Sequence, residues 1–161
     1  MYNYIKGHTW SHDVEIVSEL LTRIRKHKYP KGLRILSNLP SDIKQTGLEI
    51  INKLNNYHKN KLIKICPDVS ISDIEPVLLH TDVVPGNLIL GEKGLRLIDW
   101  QCPAIGDPIV DIVMFLSPGM HKIYGSGKFS IKDHEDFLMN LTPKLRSRYN
   151  IIGPLYHWRL A

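Results

Sequence analysis

The sequence predicts a single, mostly helical α+β domain with one short β-hairpin at mid-chain. Three observations point there. Apolar residues recur at helical spacing in the first third. The texture changes near residue 77 to short apolar runs separated by turn residues. Helix signals then resume after Gly106-Asp107-Pro108. A chain of 161 residues fits one domain and can bury roughly 70% of its unfolded surface. Its 43% apolar and 23% charged residues exclude a disordered tail, a collagen-like repeat and a coiled coil.

Each element has a local reason. Ser11 or Asp13 can cap a first helix running to about His27, with Val14, Val17, Leu20, Leu21 and Ile24 forming one buried stripe. Arg23, Arg25, Lys26 and Lys28 fall in its last turns, where the helix dipole favours cations, and Pro30 and Gly32 end it. A second helix is expected from Ser41-Asp42 to about Asn60, with Leu48, Ile51 and Leu54 as its stripe. Val77–His80 reads as a short buried strand. Asn87–Leu90 and Leu95–Ile98 flank Gly91-Glu92-Lys93-Gly94 as a hairpin. A helix to about Leu116 follows Pro108, and Pro118-Gly119 closes it. Gly125–Gly127 reads as a loop. Ser130 and Asp133 have capping-box spacing, and Thr142-Pro143 opens a last helix.

Charge is uneven along the chain. The net charge is +5, but residues 71–120 hold 2 Lys/Arg against 7 Asp/Glu, while residues 1–70 hold 12 against 6. A nucleic-acid binder concentrates basic residues where it acts; here the acidic middle carries the turn chemistry, so no nucleic-acid partner is expected. No apolar stretch is long enough to span a bilayer, and the start shows no signal-peptide pattern. Cys66 and Cys102 are expected to be reduced thiols. The expectation is a soluble cytoplasmic protein with no membrane partner.

The chemistry concentrates in His80-Thr81-Asp82-Val83-Val84-Pro85-Gly86-Asn87 and in Ile98-Asp99-Trp100. Asp82 ends an apolar run, and Pro85-Gly86 supplies a turn that folds Asn87 back toward it. The hairpin then returns Asp99 to the same end. One carboxylate is thereby available to take a hydroxyl proton, and two oxygen-bearing side chains are available to a hard cation such as Mg²⁺.

This order resembles the aminoglycoside phosphotransferase and choline kinase family: His-x-Asp-x-x-x-x-Asn, a hairpin, Ile-Asp-Trp, then Gly-Asp-Pro-x-x-Asp. The match is tight from His80 to Asp111 and weaker upstream, where Tyr4-Ile5-Lys6-Gly7 resembles the linker entering that family's C-terminal lobe. The resemblance implies a protein-kinase-like fold and ATP-dependent transfer of a γ-phosphate to a small-molecule hydroxyl. Asp82 would be the catalytic base, and Asn87 and Asp99 the Mg²⁺ ligands. His80, Asp107 and Asp111 would support the site structurally, and Trp100 is expected in the core. Thr81 stands where the family usually has glycine, so a β-branched side chain is expected to crowd the loop.

The 161 residues show no Gly-rich strand–turn–strand and no Lys in a β-branched run. Gly125-Ser126-Gly127-Lys128 is not a P-loop. The whole chain, 1–161, therefore reads as one C-terminal catalytic lobe, with residues 1–10 the remnant of an interlobe linker and the nucleotide lobe absent. Activity alone is expected to be weak or lost. The uncovered apolar face is expected to favour self-association or a partner supplying the missing lobe. Two rivals stand beside this: a non-catalytic remnant or binding module of the same fold, and a metal-dependent phosphohydrolase using Asp82, Asp99, Asp107 and Asp111. Zinc is disfavoured, because no cysteine pair has ligand spacing.

Overall fold

The computed structural model describes residues 5–54, 58–124 and 129–160. Tyr4 of the linker match and the Gly125–Gly127 loop fall outside them. Helix α1 (Val14–Arg25) is capped by Asp13, whose carboxylate accepts from the Ile16 N–H, and it buries Val14, Val17, Leu20, Leu21 and Ile24 as a stripe. The expected second helix is two: α2 (Pro40–Asn52) and α3 (His58–Lys64). Pro40 sets the start of α2, and the Lys53 and Leu54 N–H groups bond back three residues, tightening its end.

The hairpin is β4 (Leu88–Gly91) and β5 (Gly94–Leu97), paired Leu88 to Leu97 and Gly91 to Gly94. Gly94 has φ +89°, a conformation that a side chain would strain. Of the other strands, the one at Val77–Leu79 lies where the sequence puts it; the rest escape periodicity because they are only two or three residues long. Strand β1 (His8–Thr9) adds antiparallel to β4. A second sheet is ordered β2 (Arg34–Ile35), β6 (Ala104–Gly106), β3 (Val77–Leu79), with β2 parallel and β3 antiparallel to β6.

Helix α4 (Ile109–Leu116) is buried almost all round, with Ile109, Ile112 and Phe115 fully enclosed. Pro118 does not end the helical region. It opens α5 (Pro118–Tyr124), since proline is tolerated in a first helical turn. Helix α6 (Ile131–Met139) starts with both halves of the Ser130–Asp133 capping box formed. Helix α7 (Pro143–Leu160) packs on α2 and α4. Phe115 anchors the core between Trp10, His121, Phe129 and Phe137, with ring centroids 5.0–5.7 Å away. Among the described residues no helix is long and apolar enough to cross a membrane.

Where α2 crosses α7, Gly47 lies against Trp158, whose indole is 5% exposed and donates to the Leu62 carbonyl at 2.8 Å. A Cβ on Gly47 would come within 2.3 Å of the indole. In an open helix Gly→Ala stabilises by about 1 kcal/mol, whereas overpacking a fixed core costs about 1–3 kcal/mol. Gly47→Ala is therefore expected to lower the urea midpoint, reversing the helix-propensity order.

Candidate active site

Strand β3 ends at Leu79, and at His80 the chain turns sharply on one buried carboxylate. Asp111, in the first turn of α4 and 3% exposed, accepts from the His80 N–H at 2.9 Å and the Thr81 N–H at 2.7 Å. Burial pushes Asp111 up to about 6, opposed by these two donors and by the Arg25 charge. Arg25 is itself lowered by burial and held up by Asp111.

His80 fixes the next step. It is 1% exposed, its Nε2 lies 2.9 Å from the Ile98 carbonyl, and its Nδ1 lies 3.3 Å from the Asp82 N–H. A carbonyl can only accept and an N–H can only donate. The ring is therefore the neutral tautomer with the proton on Nε2. Burial lowers its pKa, against the pull of the Ile98 carbonyl and of the Asp82 and Asp99 carboxylates. The imidazole thus ties the loop carrying Asp82 to the strand end carrying Asp99.

Asn87 closes the turn. Its N–H bonds the Val84 carbonyl at 2.9 Å in a short 3₁₀ turn, Pro85–Asn87. Its side-chain Nδ2 donates to the Asp82 main-chain oxygen at 3.0 Å and to Asp82 Oδ2 at 2.9 Å. The Ile98 N–H donates to the Asn87 carbonyl at 2.9 Å, which sets Asp99 directly beside the turn. Asp82 and Asp99 are exposed and Asn87 half-buried. The structure brings positions 82, 87 and 99 to one end of the hairpin. With both amide protons of Asn87 facing Asp82, its Oδ1 is left to other partners.

Asp107 and Asp111 turn inward instead. Asp107, 1% exposed, accepts from the Ile109 N–H at 2.9 Å and pairs with Arg148, whose Nε is 2.8 Å and Nη2 2.7 Å from Oδ2. Arg148 also donates to the Ser72 carbonyl at 2.7 Å. Sequence reasoning missed Arg148, because its partner is 41 residues away and a basic residue in a helix reads as solvated. Trp100 is corrected: it is 41% exposed rather than in the core. Its ring meets His80 edge-on at 4.6 Å and its Nε1 donates to the Leu97 carbonyl, so it caps the site from outside.

Two residues here hold left-handed backbone, Thr81 at φ 70° and Asp99 at φ 63°. For Asp this is tolerated; for a β-branched residue it is a true outlier. Thr81 is kept there by the Asp111 bond and by its hydroxyl, which donates to the Cys102 carbonyl at 2.8 Å and accepts from Arg34 at 3.2 Å. Arg34 also donates to the Cys102 carbonyl at 3.0 Å.

The donor set is hard oxygen: an amide oxygen at Asn87 and a carboxylate at Asp99. Among the described residues no group of three or more His, Cys, Asp or Glu gathers to hold a metal. That set fits a Mg²⁺ that keeps waters and phosphate oxygens as its other ligands, and does not fit zinc.

A mostly helical α+β domain with the site at the end of a small hairpin is a protein-kinase-like arrangement. The model of the phosphotransferase enzyme family (APH) matches residues 37–127, and the chain belongs to that family. Solved structures agree in fold. A choline/ethanolamine kinase family protein from Mesorhizobium loti is 14% identical with a TM-score of 0.65, the match covering 98% of this chain and 57% of that one. Choline kinase LicA from Streptococcus pneumoniae is 17% identical, TM-score 0.57, covering 96% and 58%. Aminoglycoside phosphotransferase APH(3'')-Id from Streptomyces rimosus, solved with ADP and streptomycin, is 14% identical, TM-score 0.52, covering 91% and 61%. The chain thus spans less than two thirds of each of these structures. No curated protein matches it in sequence.

Two measurements follow from the site. At a positive φ, glycine outranks alanine by about 1 kcal/mol; both remove the Thr81 hydroxyl, so Thr81→Gly is expected to unfold at higher urea than Thr81→Ala. The pH response has a defined sign. Burial lowers His80, His121, His134 and His157 below 6.5, so the unfolded chain binds more protons than the native one as pH falls through that value. Their contribution is complete above pH 6.5 and is lost on acidification. Asp111, raised to about 6 from 3.8, works the opposite way between those values. Four histidines outweigh one carboxylate, and the urea midpoint at pH 5.5 is expected below that at pH 7.5.

Proposed function

We propose that this chain is the catalytic lobe of a small-molecule kinase, transferring the γ-phosphate of ATP to an alcohol hydroxyl. The observation that carries the reading is Asn87, whose side-chain amide donates twice to Asp82 while its main-chain carbonyl takes the Ile98 N–H. One residue, through its side chain and its main chain, thereby couples the loop bearing the base to the strand end bearing Asp99.

In this reading Asp82 orients the acceptor hydroxyl and takes its proton at the carboxylate. The Asn87 bond holds the Asp82 oxygen in place, so little reorganisation is needed when the substrate arrives. Asn87 Oδ1 and the Asp99 carboxylate would hold Mg²⁺, which when bound neutralises charge on the phosphate oxygens. His80 positions Asp82 through its backbone N–H, Asp111 fixes His80 and Thr81, and Asp107 with Arg148 anchors the start of α4 beneath them. The phosphohydrolase rival needs Asp107 and Asp111 as ligands; both are buried and occupied by protein donors, which favours the kinase reading over it.

The 161 residues contain no Gly-rich hairpin and no strand lysine. Those parts cover and pair the phosphates in kinases, so turnover by these residues alone is expected to be slow, and a partner or second copy over the uncovered face belongs to the same proposal. The test is a calorimetric Mg·ATP titration, paired with a phosphoryl-transfer assay on amino alcohols and aminoglycosides. Asp99→Asn is expected to weaken Mg·ATP binding. Asp82→Asn is expected to leave binding intact and to lower any turnover by at least 100-fold, as loss of a general base does. A wild-type chain that gives no Mg·ATP heat and no turnover would mark a non-catalytic module of the fold.

A further inference from the structure

Behind the catalytic loop, between β2, α4 and the end of α7, lies a partly enclosed cleft of about 180 Å³. Its polar lining is Arg34, Thr81, Tyr156 and Arg159, its floor includes Val110 and Met114 of α4, and among the described residues no Asp or Glu lines it. Two arginines therefore line one small space with no Asp or Glu beside them among the described residues. Among the described residues neither forms an ion pair with a carboxylate.

Each arginine is held ready. Arg34 spends Nη2 on two neutral acceptors, the Thr81 hydroxyl and the Cys102 carbonyl. These bonds orient the guanidinium and leave its charge unneutralised. Arg159 sits with its guanidinium carbon 5.6 Å from the centre of the Tyr156 ring, and burial lowers its pKa. Tyr156 is 2% exposed, and its hydroxyl has no hydrogen-bond partner among the described residues. Arg159 is a half-buried cation on an aromatic face, whose desolvation an anion would offset, and Arg34 is an exposed cation fixed by the loop on the same cleft. The planar forks of two arginines match the oxygens of a carboxylate or a phosphate.

We propose that this cleft is a binding site for a small oxyanion group, either a carboxylate or a phosphate. The ion would be held between Arg34 and Arg159, with the Tyr156 ring as a wall. Thr81 lines the cleft and is covalently next to Asp82, so a molecule anchored there by its anionic group would extend toward the catalytic loop. That last placement rests on the kinase reading; the anion site does not.

The test is calorimetric titration of the whole chain with inorganic phosphate and, separately, with acetate, in chloride buffer of fixed ionic strength. One saturable site is expected for at least one probe, and which probe binds tells a phosphate-type site from a carboxylate-type one. Arg159→Gln and Arg34→Gln are each expected to weaken binding at least tenfold. Arg159→Lys, which keeps the charge and loses the fork, is expected to fall between Arg159→Gln and the wild type. Asp82→Asn is expected to bind the probe within twofold of wild type even where turnover is abolished, which separates this result from the fate of the catalytic reading. Circular dichroism and the urea midpoint establish that each variant is folded, and Arg159→Lys carries the comparison if Arg34→Gln loosens the loop. Absence of saturable binding to both probes, equal affinity in the folded Gln variants, or loss of binding on Asp82→Asn would each overturn the proposal.

Discussion

The carboxylate of Asp111 is the constraint on which the rest of the site depends. It sits in the first turn of a helix buried on nearly every face, and it accepts from two consecutive backbone N–H groups, those of His80 and Thr81. Without such an acceptor, two donors would be buried unpaired at the point where β3 ends, at about 1–3 kcal/mol each. With it, the chain leaves the strand at a fixed angle. Asp82 is carried outward to solvent while its neighbours stay inside. The geometry of the exposed residues is thus decided by one residue that solvent barely touches.

The turn so formed is strained, and its surroundings hold the strain. Thr81 occupies left-handed backbone that glycine would adopt freely. Its hydroxyl joins the loop of Asp82 to the segment after Asp99, through the Cys102 carbonyl and Arg34. His80 makes a second such link through Ile98, and Asn87 a third. Three cross-links between the same two segments make the separation of Asp82 from Asp99 a property of the scaffold. For the proposed phosphoryl transfer, which depends on positioning and electrostatics, that rigidity is the relevant contribution of the fold.

The acidic middle of the chain resolves into two populations. Asp82 and Asp99 face outward at the hairpin end, available to chemistry. Asp107 and Asp111 face inward and serve as acceptors for backbone N–H groups and, at Asp107, for Arg148. The basic residues divide as well. Arg148 and Arg25 are drawn into the interior beside those carboxylates, while Arg34 and Arg159 line a cleft with no Asp or Glu among its described lining residues. The match to the phosphotransferase family covers residues 37–127, which contain all four aspartates, Arg34 and Arg159 lying outside it. The lining of that cleft is thus set partly by the segments flanking the part that the family match covers.

Local sequence determined what depends on neighbours in the chain. The stripe of α1, the Asp13 cap, the Ser130–Asp133 box and the hairpin around Gly94 are all short-range physics, and each is where periodicity or turn chemistry puts it. The order of Asp82, Asn87 and Asp99 around a hairpin was legible for the same reason. Only the tertiary structure decided the rest. Strands β1, β2 and β6 are too short to show a period and exist because a partner strand offers hydrogen bonds. The exposure of Trp100 and the burial of Arg148 follow from partners distant in sequence. A side chain's own neighbours fix its backbone; whether its charge is solvated, paired or left facing a cleft depends on which remote segment arrives opposite it.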